Sequence, residues 1–172
     1  MGTGYIHVYT GHGKGKTTAA IGLAIRAAGA GLRVLIAQFI KERQCSEHAA
    51  LKRFSDLITI KQYGRGMFLK RKPGRADIAA ARAGYEEVKE ALRSKQFDMI
   101  ILDEANVAVR CGLLALQDLL DIMAEKPGSV ELVITGRDAD KKVMKAADLV
   151  TEMREIKHYW KQGVRARRGI EK

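Results

Sequence analysis

The chain has 172 residues, about one domain by the roughly 150-residue prior, with 47% hydrophobic and 30% charged residues and only 2 prolines. That balance excludes a disordered chain, and no run reaches the roughly 18 to 20 uninterrupted apolar residues needed to span a bilayer. Lys and Arg number 31 against 20 Asp and Glu, a net charge of +11, which points to a polyanionic partner: nucleic acid, a phosphorylated small molecule or an acidic membrane surface.

Taken in chain order, Ile6 to Tyr9 reads as a first strand, followed by a helix from Thr17 to about Ala30 closed by Gly29 and Gly31. The apolar run from Arg33 to Phe39 is a second strand, which completes a β-α-β unit. A short polar helix is expected between Lys41 and Ser55, and Leu57 to Tyr63 alternates as a strand. From Lys61 to Arg75 the chain reads KQYGRGMFLKRKPGR, with six basic residues and no acid. This run either lines a ligand cleft or is a solvated loop. From Asp77, taken as an N-cap, Ile78, Ala81, Tyr85, Val88 and Leu92 fall on one helical face. Met99 to Leu102 is a buried strand, Leu113 to Ala124 a helix, Val130 to Thr135 a strand, Asp140 to Ala147 a short helix and Leu149 to Met153 a last strand. Strands alternating with helices predict a single α/β domain over residues 1–172, a mostly parallel sheet with helices on both faces. Cys45 and Cys111 lie far apart without C-x-x-C spacing. This disfavours zinc and disulfides and, with no secretion signal visible, favours the cytoplasm.

The first strand runs directly into Thr10-Gly11-His12-Gly13-Lys14-Gly15-Lys16-Thr17-Thr18 and then a helix. Alternate glycines let consecutive N–H groups turn inward as an anion cradle, and the helix N-terminus adds its partial positive charge. Lys16 is expected to reach between phosphates and the Thr17 hydroxyl to bind Mg²⁺. Against G-x-x-x-x-G-K-[ST], Thr10 stands where the first glycine is expected, so the loop is a variant; the competing reading is a tight turn whose lysines face water. Met99-Ile100-Ile101-Leu102 then delivers Asp103 and Glu104 to the carboxyl edge of the sheet, where open α/β sheets bind ligands. One of the two is expected to hold Mg²⁺, directly or through water. Their alternative role is helix capping. Arg137, after Thr135-Gly136, reaches the same edge and is either a phosphate contact or an ordinary surface arginine. Of the histidines, His12 sits in the phosphate loop, His7 reads as a strand residue, His48 as a surface helix residue, and none has metal-ligand spacing.

These residues resemble one family, the P-loop ATP:corrinoid adenosyltransferases. The resemblance covers nearly the whole chain through Gly11 to Thr18, Arg26-Ala27 with Gly29 and Gly31, Gln38-Phe39-Ile40-Lys41, Gly64-Arg65-Gly66 with Phe68, and Leu102-Asp103-Glu104. It continues through Thr135-Gly136-Arg137, Ala147 to Met153, Lys157-His158 and Gly169-Ile170-Glu171. It implies a RecA-like fold and transfer of the 5′-deoxyadenosyl group of ATP to Co(I) of a corrinoid, with release of tripolyphosphate. It further implies Mg²⁺, ATP held in the reverse of the usual sense, an electron donor for Co(II), and commonly a homodimer.

On this basis Lys16, Thr17, Glu104 and Arg137 are the expected catalytic residues, and Thr17, Asp103 and Glu104 the metal ligands. Gly11, His12, Gly13, Lys14, Gly15, Lys16, Thr17, Thr18, Arg26, Met67, Phe68, Lys157 and His158 are expected to bind nucleotide or corrinoid. The basic run from Lys61 to Arg75 is expected to face the corrinoid. Because the chain begins almost at its first strand, closure over the site is expected from another segment or a partner. The rival readings are a RecA-like ATP hydrolase or kinase, which yields ADP, and a nucleic-acid-associated ATPase. The latter is disfavoured by the 6% aromatic content and the lack of a recognition motif.

Overall fold

The computed structural model describes residues 2–66 and 72–171. Six strands form one parallel sheet: β1 (Ile6–Thr10), β2 (Val34–Gln38), β3 (Ile58–Gln62), β4 (Met99–Asp103), β5 (Glu131–Thr135) and β6 (Leu149–Glu152), in spatial order β3-β2-β4-β5-β1-β6. Between them lie α1 (Lys16–Gly29), α2 (Ser46–Leu51), α3 (Arg75–Ser94), α4 (Ala105–Arg110), α5 (Leu116–Glu125) and α6 (Lys141–Ala146). The architecture is the expected α/β P-loop arrangement, RecA-like in kind.

Strand residues alternate between two cores, as the two-residue period requires. Ile100 and Leu102 of β4 pack with Tyr85, Val88 and Leu92 of α3 and Leu119 and Ile122 of α5. Met99 and Ile101 face the other way, against Ala20, Ala24, Ala27 and Ala28 of α1. These small side chains let the backbone of α1 lie close on the sheet, so its N-terminus, and the loop before it, sits at the carboxyl end of β1. Every strand also ends at that edge.

Three local expectations change. The N-cap of α3 is Gly74, not Asp77; Asp77 stands three residues into the capping box and its Oδ2 accepts from the Gly74 N–H at 2.8 Å. Ile78 is 42% exposed instead of buried. The helix expected from Leu113 starts at Leu116, because Gly112 adopts φ +73° and turns the chain, although Leu113 and Leu114 are buried. The six-residue α4 has no counterpart in the sequence reading.

Candidate active site

The phosphate loop is held tightly. Met153, just past β6, donates its N–H to the Thr10 carbonyl (2.8 Å) and accepts from Gly13 N–H (2.6 Å). A Cβ on Gly11, at φ +94°, would lie 2.5 Å from the Met153 carbonyl oxygen, so only glycine fits there. The Gly13 N–H is thus taken by Met153, which corrects the expectation that this donor joins the cradle, although Gly13 itself lines the cleft. Thr10, at the variant first position, is the end of β1 and accepts from Ala139 N–H at 3.2 Å. The donors left for an anion are at the start of α1, whose first N–H groups have no intrahelical carbonyl to reach; helical bonding begins with Ala19 N–H to Gly15.

Lys16 is buried and folds back, its Nζ donating to the carbonyls of Gly11 (2.8 Å) and Gly13 (2.6 Å). Desolvation pushes its pKa down, with Arg137 adding to that effect and Glu104 opposing it. These two carbonyl bonds compensate a buried ammonium that an anionic ligand would compensate better.

Asp103, 1% exposed at the end of β4, organises the floor of the cleft. Its Oδ1 accepts from the hydroxyls of Thr17 and Thr135, both at 2.8 Å, and its Oδ2 accepts from the Gln38 amide at 3.0 Å and lies 3.4 Å from Lys41 Nζ. Glu104, at φ +61°, donates its backbone N–H to Thr135 Oγ1 at 2.9 Å, which turns the chain out of β4 into α4. Its carboxylate makes no hydrogen bond among the described residues. Burial, and then the charge of Asp103, raise its pKa above the ordinary carboxylate range. A capping role for the Glu104 side chain is thereby replaced by a free carboxylate in the cleft.

Lys16, Thr17, Glu104 and Arg137 all line one cleft of about 690 Å³, together with Lys14, Lys41, Glu47 and His158; clefts of roughly 300–1,000 Å³ take nucleotide-sized ligands. Arg137 is exposed and makes no hydrogen bond or ion pair among the described residues, so it remains available for phosphate. The Thr17 hydroxyl and the Glu104 carboxylate are hard oxygen donors that suit Mg²⁺, while both oxygens of Asp103, expected as a further ligand, are taken up by side-chain hydrogen bonds. The C-terminal segment forms one wall. Glu171 accepts from Lys14 Nζ (2.8 Å), from Tyr159 Oη and from the Arg167 backbone N–H (2.7 Å), and Arg167 also pairs with it. Its pKa is pushed strongly down by these donors, Arg167 first.

Some expected site residues lie elsewhere. His12 is exposed and sits 3.2 Å from Asp138 instead of facing the cleft. Arg26 is in the last turn of α1, ten residues beyond Lys16 and so about 15 Å along the helix axis. Lys157 is exposed outside the cleft while its neighbour His158 lines it. Met67 and Phe68, and with them the centre of the basic run, lie outside the described residues. Lys61, at the start of that run, is bound to Glu87 at 2.8 Å.

Three participants went unassigned in the sequence reading. Lys41 reaches both Glu47 (3.0 Å) and Asp103; burial works to lower its pKa, but the two carboxylates outweigh this and raise it. Gln38 and His48 form the remaining floor, and His48 is 5% exposed, not a surface residue. The sequence signal for Gln38 was a polar residue closing an otherwise apolar strand. Cys45, Glu47 and His48 do come within 4.8 Å of one another. Cys45 and His48 form a capping box at the start of α2, and both ring nitrogens of His48 are already bonded, to Cys45 N–H (2.9 Å) and Gln38 Oε1 (2.8 Å). The cluster is therefore accounted for without a metal. No helix among the described residues is long and apolar enough to cross a membrane.

Comparison with known proteins identifies the family. Residues 2–171 match the family described as ATP:corrinoid adenosyltransferase BtuR/CobO/CobP. A corrinoid adenosyltransferase of Pseudomonas aeruginosa is 35% identical over 169 residues, 98% of this chain and 83% of the relative. A corrinoid adenosyltransferase of Escherichia coli K12 and the corrinoid adenosyltransferase CobA of Salmonella typhimurium are each 36% identical over 174 residues, covering 98% of this chain and 85% of theirs. This chain belongs to the ATP:corrinoid adenosyltransferase family.

Proposed function

We propose that this chain transfers the 5′-deoxyadenosyl group of ATP to Co(I) of a corrinoid at the cleft beside the phosphate loop, and releases tripolyphosphate. The observation that carries this reading is the convergence of Lys16, Thr17, Glu104 and Arg137 on one cleft in a chain of this family. In the reaction the cobalt electron pair becomes the Co–C5′ bond while the C5′–O bond breaks, and the pair of the broken C5′–O bond leaves on the triphosphate. The corrinoid is the nucleophile, so the protein's work is charge stabilisation and alignment.

Lys16 supplies a desolvated ammonium beside the loop, and Arg137 a guanidinium at the rim, for the charge that develops on the leaving oxygen. The first N–H groups of α1 hold phosphate oxygens, in the reverse of the usual ATP sense. Thr17 and Glu104 would hold Mg²⁺, with Asp103 orienting Thr17 through their hydrogen bond. When bound, the ion neutralises and orients the triphosphate. The basic run from Lys61 to Arg75, with Met67 and Phe68, is the proposed corrinoid side. An external donor reduces Co(II). A homodimer is supported by the open edge strand β6, where Leu149 and Val150 are exposed. A cytoplasmic location is supported by two free cysteines.

The test is incubation with Mg-ATP and a chemically reduced Co(I) corrinoid. Appearance of the adenosylated corrinoid spectrum with stoichiometric tripolyphosphate is expected. ADP as the product would replace this reading with a hydrolase or kinase.

A further inference from the structure

Three buried side chains form a chain of hydrogen bonds with one direction. The Cys45 backbone N–H can only donate, and it donates to His48 Nδ1 at 2.9 Å, which leaves the ring proton on Nε2. Nε2 then donates to Gln38 Oε1 at 2.8 Å. With its oxygen thus engaged, the Gln38 amide turns its NH₂ to Asp103 Oδ2 at 3.0 Å. Gln38 stands opposite Asp103 in the β2–β4 register, so the two meet at the same sheet edge. Asp103 in turn keeps Oδ1 for Thr17 and Thr135.

Gln38, His48 and Asp103 are 1%, 5% and 1% exposed. Polar groups this deep are unfavourable unless every one is bonded, and an apolar trio would fill the same space more simply. The chain also has an outer end beside the cleft. It starts at the N-cap of α2, and Ser46, Glu47 and Ala50 of α2 line the same cleft as the phosphate loop.

We infer that His48 is a positioning residue: acting through Gln38, it fixes the Asp103 carboxylate so that Thr17 is presented for Mg-ATP, and it ties the α2 wall of the cleft to the phosphate loop. This rests on the reading of the cleft as a Mg-ATP site. Groups that orient a metal-binding shell in this way typically change affinity or activity about 10- to 100-fold when removed.

Two substitutions separate this role from packing. Asn at position 48 can accept from Cys45 N–H where Nδ1 does, and so keeps the cap, but it is too short to reach Gln38. Gln is long enough to donate to Gln38. With the full-length chain and no corrinoid present, titration calorimetry with Mg-ATP is expected to give a Kd about tenfold weaker for His48→Asn and within about threefold of the parent for His48→Gln. In EDTA the parent and His48→Asn should bind ATP alike.

Unchanged Mg-ATP binding by His48→Asn overturns the inference. So does equal loss in both variants, which would mark His48 as a packing residue. An independent readout needs no nucleotide: ¹⁵N NMR of labelled histidine should show a bare Nδ1 and a protonated Nε2 at His48, and the opposite tautomer overturns the chain of bonds. If the parent binds no Mg-ATP, the cleft reading itself falls, while the tautomer still reports on the hydrogen-bond chain.

Discussion

The floor and the rim of the cleft carry similar kinds of charge but are built on different physics. On the floor, Asp103 is sealed from water and accepts hydrogen bonds from three side chains, with Lys41 close by. On the rim, Glu171 also gathers several donors, Lys14, Tyr159 and Arg167, yet Lys14 and Arg167 are both largely exposed. Buried polar groups have few alternative partners, so the floor holds one arrangement. Solvated pairs are screened and trade partners with water or an anion, so the rim can yield Lys14 to a triphosphate. In this molecule burial gives geometric definition and exposure gives exchange.

The strongest way to break this comparison is Asp103→Ala. Thr17, Thr135 and Gln38 would lose their acceptor and Lys41 one of its two carboxylates, and a loss of about 3 kcal/mol in unfolding free energy is expected. A change under about 1 kcal/mol in urea denaturation would mean that the floor relaxes like the rim. Lys16→Ala comes next. Removing the ammonium from the loop should cost at least about 2 kcal/mol in transition-state stabilisation, roughly 30-fold in kcat/KM, and near-normal turnover would take the loop out of the chemistry.

Glu104 sharpens the comparison because it belongs to the floor yet its carboxylate has no hydrogen-bond partner among the described residues. Its pKa is raised in the folded state, so the native protein binds more protons than the unfolded chain between the unfolded and folded values. Its contribution to stability is therefore present at low pH and lost as pH rises through the folded value. Glu104→Gln should be more stable than the parent at neutral pH, with the gap closing in acid, while needing more Mg²⁺ for half-maximal activity. A parent that gains stability relative to Glu104→Gln as pH rises would reverse this sign, and an unchanged Mg²⁺ requirement would remove Glu104 from the metal site. The smallest effect is expected from Glu171→Gln on the rim: a KM for ATP shifted by less than about threefold and a difference that vanishes in 1 M salt, where charges are screened within roughly 3 Å.

The parts of the site that could be read in the sequence are those whose geometry is local. Gly11 to Thr18 follows a strand and opens a helix, and Asp103-Glu104 follow four apolar residues, so spacing alone brought both to the sheet edge. The residues missed depend on approach across the fold. His48 looked like a surface position because its helix is only six residues long and shows no periodicity; in the fold it is buried and its ring meets Gln38 at the end of β2. Glu171 and Tyr159 meet Lys14 across 157 and 145 residues, a distance at which no pattern speaks. Arg26 erred in the other direction: its motif is on the right helix, but the rise per residue carries it away from the loop.

By itself the sequence determined the alternating strands and helices, the phosphate loop and the carboxylate pair, because two- and 3.6-residue periods and short motifs act over a few neighbouring peptides. The tertiary structure alone decided that Lys16 is desolvated, that His48 reaches Gln38 and Gln38 reaches Asp103, and that the C-terminal segment closes one wall. Those outcomes depend on which side chains the packing denies to water, and that is set jointly by all six strands and the helices laid over them.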